Sequence, residues 1–167
     1  AGGYGSRIAF AALKLPGRLR MTMSDTRSPA NTPSVAGRAT MVATGSPVIG
    51  AHFLGEKAVF VLAEDAVLLV GGDGASQRVP LHEGGILSSA CDGRHLVTGG
   101  DDGRVMEIDR AGVMRTVFAD PKRRWIDHVA LGPDGAVAWS VGKSAQVAAR
   151  KGEVTSLDLP SSAGGLA

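Results

Sequence analysis

Ile86-Leu87-Ser88-Ser89-Ala90, then Cys91-Asp92-Gly93-Arg94, His95-Leu96-Val97-Thr98, Gly99-Gly100-Asp101-Asp102-Gly103 and Arg104-Val105-Met106-Glu107-Ile108: this stretch decides the fold class. Its apolar runs are strand-sized, and each is cut by a cluster of Gly and Asp. Asp92-Gly93 reads as a hairpin turn, because glycine supplies the positive φ that tight hairpins need. In residues 104–108, Val105 and Glu107 face the opposite way from Met106 and Ile108, as strand periodicity dictates. Arg110-Ala111-Gly112 turns the chain again, into a fourth strand over residues 113–118. The stretch therefore predicts four short antiparallel strands in succession.

The same plan repeats on either side. Val48-Ile49-Gly50-Ala51, Ile86-Leu87-Ser88-Ser89 and Ile126-Asp127-His128-Val129 each open a unit, at spacings of 38 and 40 residues. The third unit runs through Val129-Ala130-Leu131, the turn Gly132-Pro133-Asp134-Gly135, and strands over 136–140, 146–149 and 154–159. The first is more degenerate, with strands over 58–62, 66–70 and 77–81 around the turn Gly71-Gly72-Asp73-Gly74. A fourth unit would open near Ala163. Periods near 40 residues with four strands each mark the blades of a β-propeller. The predicted class is all-β, with about three blades of four antiparallel strands. Rings typically need about four to eight blades, so residues 41–167 read as an incomplete propeller. It would be completed by further blades or by oligomeric partners.

Residues 98–109 also resemble the WD-repeat family, which usually places Ser/Thr-Gly-x-x-Asp before a Trp-Asp pair. Thr98 stands at the hydroxyl position, Asp102 at the turn aspartate and Asp109 at the final Asp, while Ile108 stands where Trp is usual. His82, four residues before Ile86, fills the family's histidine position, although Leu81 replaces its Gly. The resemblance implies a structural hydrogen-bonded chain of His82, Thr98 and Asp102, one member short without the Trp. A buried Asp needs such partners, since an unpaired buried charge is costly. The other units depart further: Ser140, Ser144 and Arg150 fill the slots in the third, Phe60, Glu64 and Val70 in the first. Other propellers with Gly-rich turns, such as quinoprotein-like ones, remain compatible with the pattern.

Residues 1–40 are of another kind. They hold six basic side chains and one acid, Asp25, for a charge of +5, which leaves −3 on residues 41–167. Residues 24–38 contain almost nothing to bury and are expected to be disordered. The segment is Arg-rich and acid-poor, as transit peptides are, and residues 8–15 form a short apolar patch that a secretory signal would also have. Met21 and Met23 are plausible starts, which would place the first twenty residues upstream of the native protein. The basic overall balance comes from this tail, so no nucleic-acid partner is expected. No apolar run approaches the roughly 18–20 residues of a membrane span. The single cysteine, Cys91, excludes an internal disulfide and fits a reducing, cytoplasmic compartment.

Few residues carry chemistry. His52, His82, His95 and His128 do not fall at metal-ligand spacing. Asp101-Asp102 lacks the alternating oxygen ligands of a calcium loop. Ser88-Ser89 lacks a nucleophile elbow. Cys91 lies beside Asp92, whose charge disfavours a thiolate. No catalytic residue, metal or cofactor is predicted. The best surface candidate is Lys122-Arg123-Arg124-Trp125, in the loop joining two blades, where basic and aromatic side chains favour protein interfaces. Trp125 would otherwise pack between blades. The expected function is a protein-binding scaffold rather than an enzyme. The rival is a propeller enzyme or quinoprotein-like dehydrogenase with its site in blades not present here, and His52, Asp127 and His128 are the ionisable groups on the predicted innermost strands.

Overall fold

The computed structural model describes residues 39–150 and 153–166. Val42–Ala167 form one compact unit. The expected disordered tail, 1–40, lies outside the described residues except for Ala39 and Thr40.

Twelve strands run through this unit in three groups of four. β1 (Val48–Leu54), β2 (Lys57–Leu62), β3 (Ala66–Val70) and β4 (Ser76–Pro80) form the first sheet. β5 (Ile86–Cys91), β6 (His95–Gly100), β7 (Arg104–Asp109) and β8 (Met114–Ala119) form the second. β9 (His128–Leu131), β10 (Val137–Val141), β11 (Ser144–Ala148) and β12 (Val154–Asp158) form the third. Every pairing is antiparallel between sequence neighbours, so each sheet is a four-stranded meander. The only helical element among the described residues is the 3-10 turn Pro133–Gly135. The three sheets do not close into a ring.

A shared irregularity marks the first two units as repeats of one another. Pairing shifts register between Val48 and Gly50 in the first sheet, and between Ile86 and Ser88 in the second. The same bulge falls one repeat apart on β1 and β5, the kind of bend that re-aims side chains, whereas β9 pairs with β10 in continuous register. The first strands β1, β5 and β9 lie side by side.

The sheets stack through two apolar layers. Leu54, Val61, Leu69, Ile86, Leu96 and Ile108 belong to the layer shared by the first and second sheets. Val97, Val105, Ile126, Val129, Val137 and Trp139 belong to the layer shared by the second and third. Leu96 and Val97 are adjacent and enter different layers, because successive side chains of a strand point to opposite faces. The same alternation sends Val105 one way and Met106 and Ile108 the other. The second sheet is thus covered on both faces, which is why its sequence is the most legible of the three. In the second layer Phe118 lies 4.9 Å from the fully buried Trp139, ring centre to ring centre.

The third unit differs from expectation at one turn. Counting four residues from Ser140 puts Ser144 in a turn-aspartate slot. Instead Val141 pairs directly with Ser144, and only Gly142 and Lys143 make the turn. Gly142 has φ 56°, so the hairpin closes in two residues, and Ser144 begins a strand.

Candidate functional site

At one end of the second sheet, His82, Thr98 and Asp102 form a buried hydrogen-bonded chain. His82 Nδ1 donates to Asp102 Oδ1 over 3.0 Å, and His82 Nε2 meets Thr98 Oγ1 at 2.8 Å. The backbone N–H groups of Glu83 and Arg104 each donate to the same carboxylate at 3.0 Å. Burial pushes the Asp102 carboxyl up, but these donors outweigh it and hold its pKa below the ordinary value. The chain locks the loop before β5 to the β6–β7 turn. Gly100 makes the room: a Cβ there would collide with His82 Nδ1 and Asp102 Oδ1. Ser140, the counterpart of Thr98 in the third sheet, is buried, and its hydroxyl has no partner among the described residues.

The sequence-predicted contact loop lies at this same end. Asp120 is buried and accepts from the Arg124 backbone N–H at 2.9 Å and from its guanidinium at 2.8 and 3.1 Å. The Arg124 hydrogen bonds are the main reason the Asp120 pKa falls to about 2. Arg123 takes a left-handed backbone, φ 51°, and reaches Glu83 Oε2 at 3.2 Å, while Arg104 reaches Glu83 Oε1 at 2.8 Å. Lys122 is exposed. Trp125 is 62% exposed, whereas the next residue, Ile126, is fully buried. The alternative of Trp125 packed between blades is therefore not what the structure shows. Ile126 fills the inter-sheet layer, while Trp125 stays on the exposed loop ahead of β9. The fold thus brings Arg123 and Arg104 together on Glu83, whose backbone N–H meets Asp102, and the half-exposed Arg124 holds the loop through the buried Asp120. Glu83, Arg104 and Asp120 were missed from sequence, since their roles depend on contacts across 4 to 40 residues.

The innermost strands hold a second group. His52 Nε2 lies 2.9 Å from Ser89 Oγ, linking β1 to β5. Burial lowers the pKa of His52, which favours a neutral imidazole. His128 Nε2 lies 3.1 Å from the Ala163 carbonyl oxygen. The His52–Ser89 contact joins residues 37 apart, close to one repeat, and the repeat register was the signal that could have found it. Burial raises the Cys91 thiol pKa; the Gly93 N–H opposes this and Asp92 adds to it. Among the described residues, no group of three His, Cys, Asp or Glu side chains converges as a metal ion would require.

No protein-family model matches the chain, and no curated protein matches it. Solved structures do. Virginiamycin B lyase from Staphylococcus aureus superposes with a TM-score of 0.58 at 16% identity, over 73% of this chain and 44% of that one. A streptogramin B lyase structure gives 0.57 at 17%, over 72% and 43%. The structure of U3-55K gives 0.55 at 13%, over 71% and 44%. The chain spans less than half the length of each of these proteins. At such identities the likeness is one of fold: the chain carries three four-stranded sheets of the propeller type.

Proposed function

We propose that this chain is the WD-repeat-like part of a protein-interaction scaffold, with Lys122, Arg123 and Trp125 as its contact surface and Arg124 as the residue that anchors their loop to Asp120. The observation that carries the reading is Trp125, largely exposed on a loop that Asp120 and Arg124 pin in place. A large aromatic displayed on a rigid loop beside basic side chains has the composition of an interface hot spot, and pre-ordering reduces the entropic cost of binding. The His82–Thr98–Asp102 chain supports the WD-like assignment. Among the described residues no helix is long and apolar enough to cross a membrane, and the single cysteine supports a cytoplasmic setting. Partner capture by the complete protein tests the reading. Trp125→Ala and charge reversal of Lys122, Arg123 and Arg124 should each abolish capture of at least one partner. Retention of every partner overturns the assignment.

A second reading rests on the His52–Ser89 pair. A neutral imidazole within hydrogen-bond reach of a hydroxyl is an arrangement for general-base chemistry, and two of the similar structures are lyases by name. In that case His52→Ala and Ser89→Ala abolish turnover while partner capture is untouched. A quinoprotein-like cofactor is a further form of the enzyme reading. It would show as bound chromophore in the absorbance spectrum of the purified complete protein, and that result would replace the scaffold assignment.

A further inference from the structure

The described residues include eight arginines. Five of them, Arg78, Arg104, Arg115, Arg123 and Arg124, lie in ion pairs with carboxylates at 2.6–3.6 Å. The other three, Arg94, Arg110 and Arg150, have no such pair among the described residues. These three line one open cleft of about 490 Å³, together with His95, Asp109 and Ala111. Hairpins alternate ends along a meander, so the cleft lies at the opposite end of the second sheet from Trp125. Arg94 and Arg110 come from the β5–β6 and β7–β8 turns, and Arg150 comes from the third sheet, just past β11.

The cleft is built rather than incidental. Arg110 Nε donates to the Gly93 carbonyl at 2.8 Å, and its stem packs over Gly55 of the first sheet. That single bond fixes the guanidinium plane and leaves both terminal nitrogens for other acceptors. Arg150 packs over Gly135, and its Nη1 donates to His95 Nε2 at 3.1 Å. The other ring nitrogen of His95, Nδ1, faces Asp92 Oδ2 at 3.4 Å. Asp92 is itself held by the Arg94 and His95 backbone N–H groups, both at 2.7 Å. Asp109, the one carboxylate in the lining, has Oδ1 engaged by the backbone N–H groups of Ala111 and Val113, each at 2.9 Å. Its second oxygen offsets a single arginine.

The lining is therefore cationic by two charges within a 41–167 segment that carries a net −3. Guanidinium groups present planar forks of donors that match tetrahedral oxyanions, often in bidentate fashion. We infer that this cleft binds a dianionic phosphate group, with Arg94, Arg110 and Arg150 as its ligands. Its volume exceeds that of the anion alone, so the preferred occupant is the phosphate of a small phosphomonoester. The inference does not depend on the scaffold reading, because the two surfaces lie at opposite ends of the sheet.

Titration of the complete protein followed by 31P NMR tests this, with inorganic phosphate and glycerol phosphate as probes and acetate at matched ionic strength as control. Saturable binding of both phosphates is expected, tighter for the ester and absent for acetate. Arg110→Gln and Arg150→Gln should each weaken it about tenfold, the loss of one charge-assisted contact, while Arg78→Gln leaves it unchanged. The substituted arginines are exposed, and an unchanged thermal midpoint confirms folding. Equal weakening by Arg78→Gln, or no saturation by either phosphate, overturns the proposal. Saturation by inorganic phosphate alone refutes the ester and retains the anion site.

Discussion

His82 Nδ1 and Asp102 Oδ1 lie 3.0 Å apart with both side chains essentially buried, and each belongs to a different loop of the same blade. The pair, with Thr98, ties the entry of the second sheet to its central turn. Asp102 accepts three hydrogen bonds, from His82, Glu83 and Arg104. Removing it as Asp102→Ala leaves those three donors without their acceptor and should cost about 3–5 kcal/mol. Thr98→Val should cost about 1–3 kcal/mol. Ser140→Ala, at the counterpart position where the hydroxyl has no described partner, should change stability by less than about 1 kcal/mol. Urea denaturation of the three variants checks the ranking, and an equal loss in all three would show that the chain has no special role.

Gly100→Ala should be as damaging as loss of the aspartate. The added methyl falls on His82 Nδ1 and Asp102 Oδ1 together, so the chain and the methyl cannot both keep their places. A thermal midpoint within a few degrees of the parent would count against this geometry.

Acid should weaken the unit through Asp102 and Asp120. Both carboxyls have folded pKa values below their ordinary value, so the unfolded chain binds protons first as pH falls. The stability they contribute is complete above about pH 4 and is lost as pH falls toward the folded value, about 2 for Asp120. Thermal midpoints measured between these limits should fall, and Asp120→Asn should flatten that fall. A parallel profile in the variant would refute the role assigned to Asp120.

The two tryptophans of the chain should be spectroscopically distinct. Trp125 is 62% exposed, while Trp139 is fully buried against Phe118. Acrylamide should quench one population readily and the other poorly, and Trp125→Phe should remove the accessible one. Trp139→Ala should cost about 3–5 kcal/mol from the cavity it leaves, and Trp139→Phe should cost less.

Much of this architecture was legible in the chain. Strand length, Gly/Asp turns and spacings of 38 and 40 residues are local properties, set by backbone sterics and by which side chains must leave water. The second sheet was clearest because both its faces are buried, so its alternation leaves no ambiguous side. His82, Thr98 and Asp102 were readable because their pattern is short and their roles are structural. Ser144 was misplaced because one two-residue turn in the third unit closes earlier than counting assumes.

The sequence alone therefore determined the repeated four-strand units and most of their turns. Only the tertiary structure decided which neighbours their residues meet. The pairing of Arg123 and Arg104 with Glu83, the His52–Ser89 contact and the convergence of Arg94, Arg110 and Arg150 all join different turns, strands or sheets. Their distances are set by how the sheets stack and stagger, through packing of side chains far from each pair in sequence. No local pattern encodes that geometry.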